Sequence, residues 1–593
     1  GVIAAVHAAL RHAGIAAAEV ASFAHGMTVG TNALLERRGA RACLVTTAGI
    51  EDVLELRRQD RASLYRLDVD HPAPLVSADH VVGVRERITP DGVAVPLTDA
   101  ALAHAVAAVR ERAPEAVAVG LLHAYRDPSH EMAVAAAIRD ALPGVPVSAS
   151  SEVLPEIREY ERIATTVLDA YLTPLLADYL HGLAERAADA GLPEPSIMQS
   201  SGGLIGLDAA AHHAARTVLS GPAGGLVGAA AVASAQDAPL ALAFDMGGTS
   251  CDVALVQDGE PARAHGRTVA GYPVHLPMLD IETVSAGGGS IAWADAGGAL
   301  RVGPRSAGAV PGPAAYARGG THPTVTDANV VLGRVSGTLG DDHGITLDAD
   351  AARDAVTALG TRLGLDERAC AEGIIAVAVQ EMVRALRVVS VERGIDPRDG
   401  VLVAFGGAGP MHACDVADEL GMRNITCPAS AGVLAAQGMV VAGERRDAVR
   451  TVLLDAADAD ALREAVAPLA THVSDAIPDG AIAHHADCRY RGQSHALTVP
   501  WDPAGPPGAL ADAFHSAHAR ASGAAMPERP VEVVSVRVAA EAPGPGLAWD
   551  PQPVPGGTVP GPASLPMAGS TCWVAAGWVA MTHHDGTITM ERA

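Results

Sequence analysis

Residues 241–256 read ALAFDMGGTSCDVALV, two apolar stretches joined by a short polar turn. The runs of Ala, Val, Leu and Phe on both sides predict two strands, and the first strand ends at Asp245. Gly247 and Gly248 allow a turn in which backbone amides can approach a ligand without obstruction by side chains. The stretch therefore predicts a strand–loop–strand unit that binds an anionic group, and a plain β-hairpin is the alternative.

Acidic and hydroxyl side chains surround this loop. Asp245 and Asp252 lie at its two rims, and Thr249 adds a hydroxyl donor between them. Carboxylates are poor partners for a phosphate but good partners for its hydrated Mg²⁺, which is usually held by one or two carboxylates together with phosphate oxygens. The loop therefore suits a metal-bound nucleotide, and we predict that Asp245, Thr249 and Asp252 are catalytic residues and that the two aspartates are ligands of its Mg²⁺.

The composition narrows the class of protein. The chain has 593 residues, of which 49% are hydrophobic, as is typical of globular domains with large cores. A formal net charge of −26 argues against a nucleic-acid partner, because binding to a phosphate backbone requires clustered basic residues. The seven cysteines form no CxxC pair, and no apolar run approaches the length of a membrane span. We expect a cytoplasmic protein with a small-molecule ligand and no membrane association.

The chain contains no lysine, since all 42 of its basic residues are Arg. A P-loop requires a Lys on the phosphates, and enzymes that use pyridoxal phosphate require a Lys for the Schiff base. Both classes are therefore excluded. Any phosphate bound by this chain must be held by backbone amides, a metal ion or Arg.

Helical and strand patterns alternate along most of the chain, which predicts an α/β fold with a mostly parallel sheet. Helices are predicted at 98–112, from about Ser129, at 366–393 and from about Met411, and strands at 116–122, 145–151, 401–406 and 424–428. From about residue 480 the sequence becomes rich in Pro and Gly and shows alternating polar and apolar residues. This change predicts a separate β-rich C-terminal domain.

Three further glycine-rich loops follow or separate predicted strands, at 219–230, 284–293 and 403–413. The last of them precedes a helix, so its backbone amides and the helix N-terminus could face an adenosine or a phosphate. Each loop alone is a weak signal, because such turns are common in α/β proteins. Together they predict the following cofactor-binding glycines: Gly247, Gly248, Gly287, Gly288, Gly406 and Gly407.

Several ordered motifs, which together span nearly the whole chain, resemble the hydantoinase A/5-oxoprolinase family of the ATP-dependent N-methylhydantoinase A type. They are the segments 25–61 (beginning HGMTVGTNALLE), 150–174 (beginning SSEVLPEIREYER), 245–252 (DMGGTSCD), 285–292 (SAGGGSIA), 303–334, 405–413 (FGGAGPMHA) and 489–500 (RYRGQSHALTVP). The resemblance implies an actin-like, sugar-kinase-like (ASKHA) ATPase fold and a hydantoinase B-type partner in a hetero-oligomer.

The resemblance also assigns individual residues. In that fold the nucleotide lies between two lobes, and the family pattern of the second lobe's loop matches residues 245–252 here. The GGxxP-like element near the adenosine matches Gly406, Gly407 and Pro410. Family members usually carry another DxGGTxTD loop upstream of the segment that begins at His25 here, so we expect that the first phosphate loop is missing and that the native chain extends upstream.

The resemblance implies three domains, a truncated N-terminal lobe at 1–185, a core ATPase lobe at 186–478 and the β-rich domain at 479–593. It implies the use of ATP and Mg²⁺ to phosphorylate a cyclic amide such as a hydantoin or 5-oxoproline, because an activated carbonyl is opened more readily by water. Two alternatives remain. One is a ketone carboxylase subunit of the acetone or acetophenone type, and the other is a degenerate nucleotide-binding subunit without catalysis.

Two acidic segments have competing interpretations. The first segment contains charged residues at helical spacings, Glu156, Arg158, Glu159 and Arg162. This spacing favours ion pairs on a solvated helix face. The alternative is that an Arg of this segment lies near an ATP site and replaces the absent Lys. Asp327 in TVTDAN is expected to cap the following helix, and a role in the cleft is the alternative.

Overall fold

The computed structural model of the chain describes residues 1–339, 344–546 and 553–593. Residues 340–343 of the predicted core lobe and residues 547–552 of the predicted C-terminal domain lie outside the described residues. The chain forms two compact units. The first unit comprises Gly1–Ser220, Ala264–Met278 and Gly443–Gly544, and the second comprises Gly221–Arg263, Leu279–Ala442 and Pro545–Ala593. The domain limits at 185 and 478 refer to family domains and stay a prediction.

The first unit contains a four-stranded parallel sheet with helices on it. The strand order is Val81–Val84, Ala42–Thr47, Ala116–Gly120 and Val147–Ala149. Every residue of Ala42–Thr47 is buried, as is typical of a central parallel strand covered on both faces. The helices of the first unit are Val2–Ala13, Val29–Leu35, Val53–Leu56, Asp99–Arg112, Ser129–Ala141, Ser150–Val153, Glu159–Asp189, Leu207–His212, Ala459–Ala476 and Ala509–Ser522.

Further strands of the first unit form smaller sheets. A four-stranded antiparallel sheet has the order Arg445–Asp455, Val531–Glu541, Ala481–Tyr490 and Leu497–Pro500. A three-stranded sheet contains Phe23–His25, Pro195–Met198 and Leu204–Ile205, and two hairpins pair Arg87–Thr89 with Gly92–Val95 and Arg267–Val269 with Tyr272–Val274. Two of these small sheets join segments that are far apart in the sequence.

The second unit is built on a nine-stranded mixed sheet. Its order is Glu260–Pro261, Cys251–Gln257, Leu240–Met246, Val401–Phe405, Asn424–Cys427, Ile588–Arg592, Trp578–His583 and Pro553–Pro560, with Ile281–Val284 also paired to Cys251–Gln257. Its helices are Ser220–Ala235, Val325–Val331, Ala349–Leu363, Glu367–Val389, Gly409–Leu420 and Leu434–Val441. Additional hairpins pair Ser290–Ala294 with Leu300–Ser306, Thr338–Leu339 with Ile345–Thr346, and Ala563–Met567 with Ser570–Val574.

The predicted alternation of helices and strands is confirmed. The predicted strands at 116–122, 401–406 and 424–428 correspond to Ala116–Gly120, Val401–Phe405 and Asn424–Cys427, and the strand at 145–151 is shorter than predicted, Val147–Ala149. The C-terminal region is rich in strands, as predicted, although it also contains the helix Ala509–Ser522. In the described ranges, no helix combines the length and apolar character needed to cross a lipid bilayer.

The core of the second unit depends on its last strands. Trp578 is 1% exposed and packs in the same cluster as Phe244 and Leu402, and its Nε1 donates to Asp418 Oδ1 over 3.1 Å. A strand from the end of the chain therefore completes a sheet whose central strands lie much earlier in the sequence.

We expect Trp578→Ala to lower the free energy of unfolding by about 3–5 kcal/mol, because it leaves a large cavity and removes the donor to Asp418. Met581→Ala on the same strand is the control, since Met581 is 37% exposed. Urea unfolding followed by circular dichroism compares the two variants. Equal midpoints for the two variants would show that the Trp578 site does not stabilise the core.

Candidate functional site

The loop at 247–250 joins two antiparallel strands, Leu240–Met246 and Cys251–Gln257. Asp245 and Asp252 are direct partners in this register, so their side chains lie on the same face of the sheet. The amide of Gly247 donates to Ser250 O over 3.1 Å and closes the turn. The predicted strand–loop–strand unit is therefore present, with its two acids opposite each other.

The two carboxylates are crowded and largely removed from water. Burial, followed by the negative charge of Asp252, raises the pKa of Asp245 to about 7. Burial also raises the pKa of Asp252, although Thr283 Oγ1 donates to its Oδ1 over 2.5 Å and acts in the opposite direction. Over the described ranges, neither carboxylate forms an ion pair and Asp245 accepts no hydrogen bond. A divalent cation would compensate both charges.

This donor set fits the Mg²⁺ that the fold family implies. Among the residues that the structure describes, no group of three or more His, Cys, Asp or Glu side chains could hold a metal ion by itself. Asp245 and Asp252 supply two carboxylates, and the remaining ligands would be water and phosphate oxygens, which is the usual pattern for Mg²⁺ bound with a nucleotide.

A second glycine loop packs directly on the first. The amide of Gly288 donates to Gly247 O over 3.0 Å, and the amide of Gly289 donates to Gly248 O over 2.7 Å. A Cβ at Gly287 would lie 2.6 Å from the carbonyl carbon of Gly248, a distance that no side chain could adopt. Gly287 is therefore required for the contact between the two backbones.

A third glycine loop passes beside the acids. Gly406 has a φ of 80°, in the left-handed region that favours glycine, and a Cβ there would collide with the carboxylate of Asp245. The amide of Ala408 donates to Met246 O over 2.8 Å. Pro410 lies in the first turn of the helix Gly409–Leu420 and is buried. This segment supports the acidic loop from the neighbouring strand.

A cavity of ≈ 270 Å³ opens beside these three loops. This volume is near the lower end of the range of about 300–1,000 Å³ that is typical of ligand pockets. Its lining contains Gly247, Gly248, Gly288, Tyr316, Thr326, Asn329, Val335, Leu339, Gly407, Ala408, Met411, His412, Gly569, Ser570 and Thr571. The structure therefore brings four of the predicted cofactor-binding glycines together at one cavity.

The other predicted residues lie behind or beside the cavity. Gly287, Gly406 and Pro410 are absent from its lining, and the first two have the backbone-packing roles described above. Asp245 and Asp252 lie at the strand ends that carry the loop, and Thr249 is exposed within the loop. Their assignment as catalytic and metal-binding residues stays a prediction.

Several lining residues escaped the sequence interpretation. Asn329 Nδ2 lies 3.1 Å from His412 Nε2, while Asn329 Oδ1 and His412 Nδ1 are buried without a hydrogen-bond partner in the described chain. Burial lowers the pKa of His412 to about 4, so this imidazole is neutral at physiological pH. Both residues lie in motifs that resemble the family, TVTDAN and PMHA, whereas Ser570 and Thr571 have no motif that could have identified them.

The predicted capping by Asp327 is confirmed only in part: Thr324 is the N-cap of the helix Val325–Val331, and Asp327, the third residue of that helix, completes a capping box. Its backbone amide donates to Thr324 Oγ1, its carboxylate accepts from the Thr324 amide over 2.8 Å, and it also accepts from the amide of Ala315 over 2.7 Å. These contacts tie the helix Val325–Val331, which carries Thr326 and Asn329, to the preceding loop.

The prediction that residues 156–162 form a solvated helix face is wrong. The helix begins at Glu159, and Glu156 lies before it in a buried ion pair with Arg537. Arg162 is 1% exposed and donates to Leu121 O over 2.6 Å and Glu156 O over 3.2 Å. Arg162 therefore holds backbone carbonyls of the first unit together.

Comparison of the sequence with known proteins identifies the family of this chain. Residues 162–448 match the Hydantoinase/oxoprolinase model, and residues 1–142 match the Hydantoinase/oxoprolinase N-terminal region. The caprolactamase subunit alpha of Pseudomonas jessenii is 35% identical over 533 residues, which cover 86% of this chain and 77% of that protein. The chain belongs to the hydantoinase/oxoprolinase family.

Other members of the hydantoinase/oxoprolinase family are also similar. The 5-oxoprolinase 1 of Arabidopsis thaliana is 36% identical over 463 residues, which cover 71% of this chain and 36% of that protein. The acetophenone carboxylase gamma subunit of Aromatoleum aromaticum is 36% identical over 414 residues, which cover 67% of this chain and 56% of that protein. Two of these relatives are named as subunits and so belong to multi-subunit enzymes.

The crystal structure of the ATP-dependent caprolactamase from Pseudomonas jessenii has a TM-score of 0.87 with this chain at 31% identity. The superposition covers 97% of this chain and 92% of that chain. The predicted family and the predicted actin-like ATPase fold with a β-rich C-terminal region are thus confirmed.

The raised pKa of Asp245 predicts that Mg²⁺ binding depends on pH. Below about pH 7 this carboxyl holds a proton that the cation must displace, so the affinity for Mg²⁺·ATP should rise by up to about tenfold per pH unit and level off above pH 7. Titration calorimetry at several pH values measures this profile.

In Asp245→Asn the rise in affinity for Mg²⁺·ATP that comes from deprotonation of Asp245 should be absent. The pH dependence that remains in this variant reports the titration of ATP itself. Asp258→Asn, at an exposed turn beyond the far end of the strand Cys251–Gln257, is the matched control and should behave as the unmodified chain. If Asp245→Asn and the unmodified chain had the same profile, Asp245 would not be a ligand of the cation.

Proposed function

We propose that this chain is the ATP-binding subunit of an enzyme that opens a cyclic amide, a hydantoin, 5-oxoproline or a similar lactam. The observation that supports it best is the pair Asp245 and Asp252, which are direct partners across two strands and flank the loop whose glycines line the cavity. Relatives named caprolactamase and 5-oxoprolinase support the type of reaction. The chain would act in a hetero-oligomer with a hydantoinase B-type subunit.

The loops around the cavity would bind the nucleotide through main-chain groups. Gly247 and Gly248 are free of side chains where phosphates would approach, and a Cβ at Gly248 would meet no atom within 4 Å. Asn329 and His412 offer one unpaired acceptor and one unpaired imidazole nitrogen on the cavity wall. Because the chain has no Lys, the charge of the phosphates must be balanced by Mg²⁺, Arg and backbone dipoles.

The chemistry follows from the stability of amides. The γ-phosphoryl group of ATP would pass to the carbonyl oxygen of the lactam, which gives ADP and a phosphorylated imidate. Water would then add to the activated carbon, and cleavage of the C–N bond would release the ring nitrogen as an amine and leave an acyl phosphate. A second water would hydrolyse the acyl phosphate to phosphate and the open-chain carboxylic acid. When bound, Mg²⁺ would stabilise the charge that develops on the transferred group. Asp245 and Asp252 would hold and orient the ion, and the glycine loops would position the phosphates.

A ketone carboxylase is the second candidate. Its support is the similarity to the acetophenone carboxylase gamma subunit. In that reaction ATP would activate the substrates for carbon–carbon bond formation with bicarbonate. Product formation from acetone or acetophenone that requires bicarbonate would favour it over lactam hydrolysis.

We expect Asp245→Asn to lower ATP turnover by about 10²-fold or more while the fold stays intact, because the amide cannot hold the cation as a carboxylate does. Phosphate release measures turnover, and thermal melting reports the fold. The control Asp258→Asn should keep full turnover. Normal ATP turnover by a folded Asp245→Asn variant would indicate that the loop is a plain β-hairpin without a role in ATP binding. If the unmodified chain showed no ATP turnover even with its partner, it would be a degenerate subunit.

Ring opening is expected to require the partner subunit. In the described part of the chain, the cavity lining holds no metal cluster and no carboxylate that could activate water. Incubation of the purified chain with ATP and a panel of hydantoins and lactams should give no ring-opened product, and addition of the hydantoinase B-type subunit should give product detectable by chromatography. Efficient ring opening by this chain alone would contradict the two-subunit assignment.

A further inference from the structure

The first unit contains a second cavity, of ≈ 190 Å³. One part of its wall is apolar and is formed by Val153, Leu154, Pro155, Leu276, Pro277 and Val449. The other part is polar and includes Gln199, Ser200 and Arg216. The volume is below the range of about 300–1,000 Å³ that is typical of drug-sized ligands, so the cavity suits a small molecule with one polar end.

Arg216 is the distinctive group of this cavity. It lies on the short helix Ala214–Thr217, and its carbonyl accepts from the amide of Ser200 over 2.7 Å and from Ser200 Oγ over 2.8 Å. Its backbone is therefore fixed. Within the described part of the chain, however, its guanidinium donates no hydrogen bond and forms no ion pair. Burial, and then the charge of Arg446, lowers the pKa of Arg216.

The acids near Arg216 are already engaged. Glu152 accepts from Arg139 over 2.9 Å, and Asp447 accepts from Arg445 over 2.7 Å. Asp169, which lies behind the cavity, accepts from Ser148 Oγ over 2.8 Å and from the amide of Ala215 over 3.0 Å. Glu152 and Asp447 also line the cavity, and the charges of Asp447 and Asp169 act to raise the pKa of Arg216, but in the described chain neither aspartate forms an ion pair with its guanidinium.

A half-buried guanidinium without a partner is costly, since desolvation removes part of the water that would bind its donors. Its planar fork of N–H groups matches the two oxygens of a carboxylate. The adjacent apolar wall would cover a small hydrocarbon body. We propose that this cavity binds a small organic carboxylate, with Arg216 as the partner of the carboxylate and the apolar wall in contact with the rest of the ligand.

The site goes beyond the proposed ATP reaction and does not depend on it, because all of its lining residues belong to the first unit. It would let the protein distinguish a ligand with a carboxylate from a neutral ring of the same size. The probes are therefore matched pairs. Cyclopentanecarboxylate is compared with cyclopentanecarboxamide, and cyclobutanecarboxylate is compared with cyclobutanecarboxamide.

Titration calorimetry or ligand-observed NMR without ATP measures the dissociation constants. We expect the unmodified chain to bind the carboxylate of each pair at least about tenfold more tightly than the neutral compound, since hydrogen bonds between charged groups are stronger than those to a neutral amide. Arg216→Gln should remove this preference. Arg66→Gln is the control, because the Arg66 side chain is 65% exposed.

A second variant keeps the test decisive if Arg216→Gln fails to fold. Ala448→Leu places a larger side chain in the cavity lining, and it should weaken the binding of the carboxylates by a similar factor. Asp245→Asn should leave their binding unchanged, which separates this site from the ATP site.

Three results would overturn the proposal. They are equal binding of the charged and neutral probes, a preference that persists in folded Arg216→Gln or Ala448→Leu, and displacement of the carboxylates by bicarbonate or phosphate at equal concentrations. The last result would mark a general anion site.

Discussion

Asp245 and Asp252 face each other across one antiparallel strand pair, and the surrounding loops accommodate their shared charge. Burial raises the pKa of both carboxyls, and the charge of Asp252 raises the pKa of Asp245 further. The backbone at Gly406 must pass beside Asp245 with no side chain, and Gly287 must meet the loop between the two acids. Glycine is therefore required at position 406 by the Asp245 carboxylate and at position 287 by the backbone of the loop between the two acids.

The sequence could predict this part of the site because each of its signals is local. A strand ends in an acid, a glycine turn follows, and a second strand begins, all within sixteen consecutive positions. The strands around it could also be located, because buried parallel strands such as Ala42–Thr47 and Val401–Phe405 are continuous apolar runs bounded by turn residues.

Burial created by distant segments could not be predicted in the same way. The charged run at 156–162 has helical spacing, but the segment that carries Arg537 and the loop at Leu121 enclose it, and neither is near it in the sequence. Likewise, the C-terminal region was recognised as strands. Its strands nevertheless enter one larger sheet in each unit and a separate two-stranded sheet, because strand partners are chosen by tertiary packing.

The pairing of Ile588–Arg592 with Asn424–Cys427 has a consequence for biosynthesis. When the ribosome has made the strands from Leu240 to Cys427, one edge of their sheet is still bare, and it stays bare while the next 160 or so residues are translated. Such late, non-local pairing slows folding and leaves an unpaired strand edge, which can associate with other chains, exposed on the nascent chain. The sheet of the second unit can therefore be completed only late in translation, whereas the parallel sheet at 42–149 can close soon after it emerges.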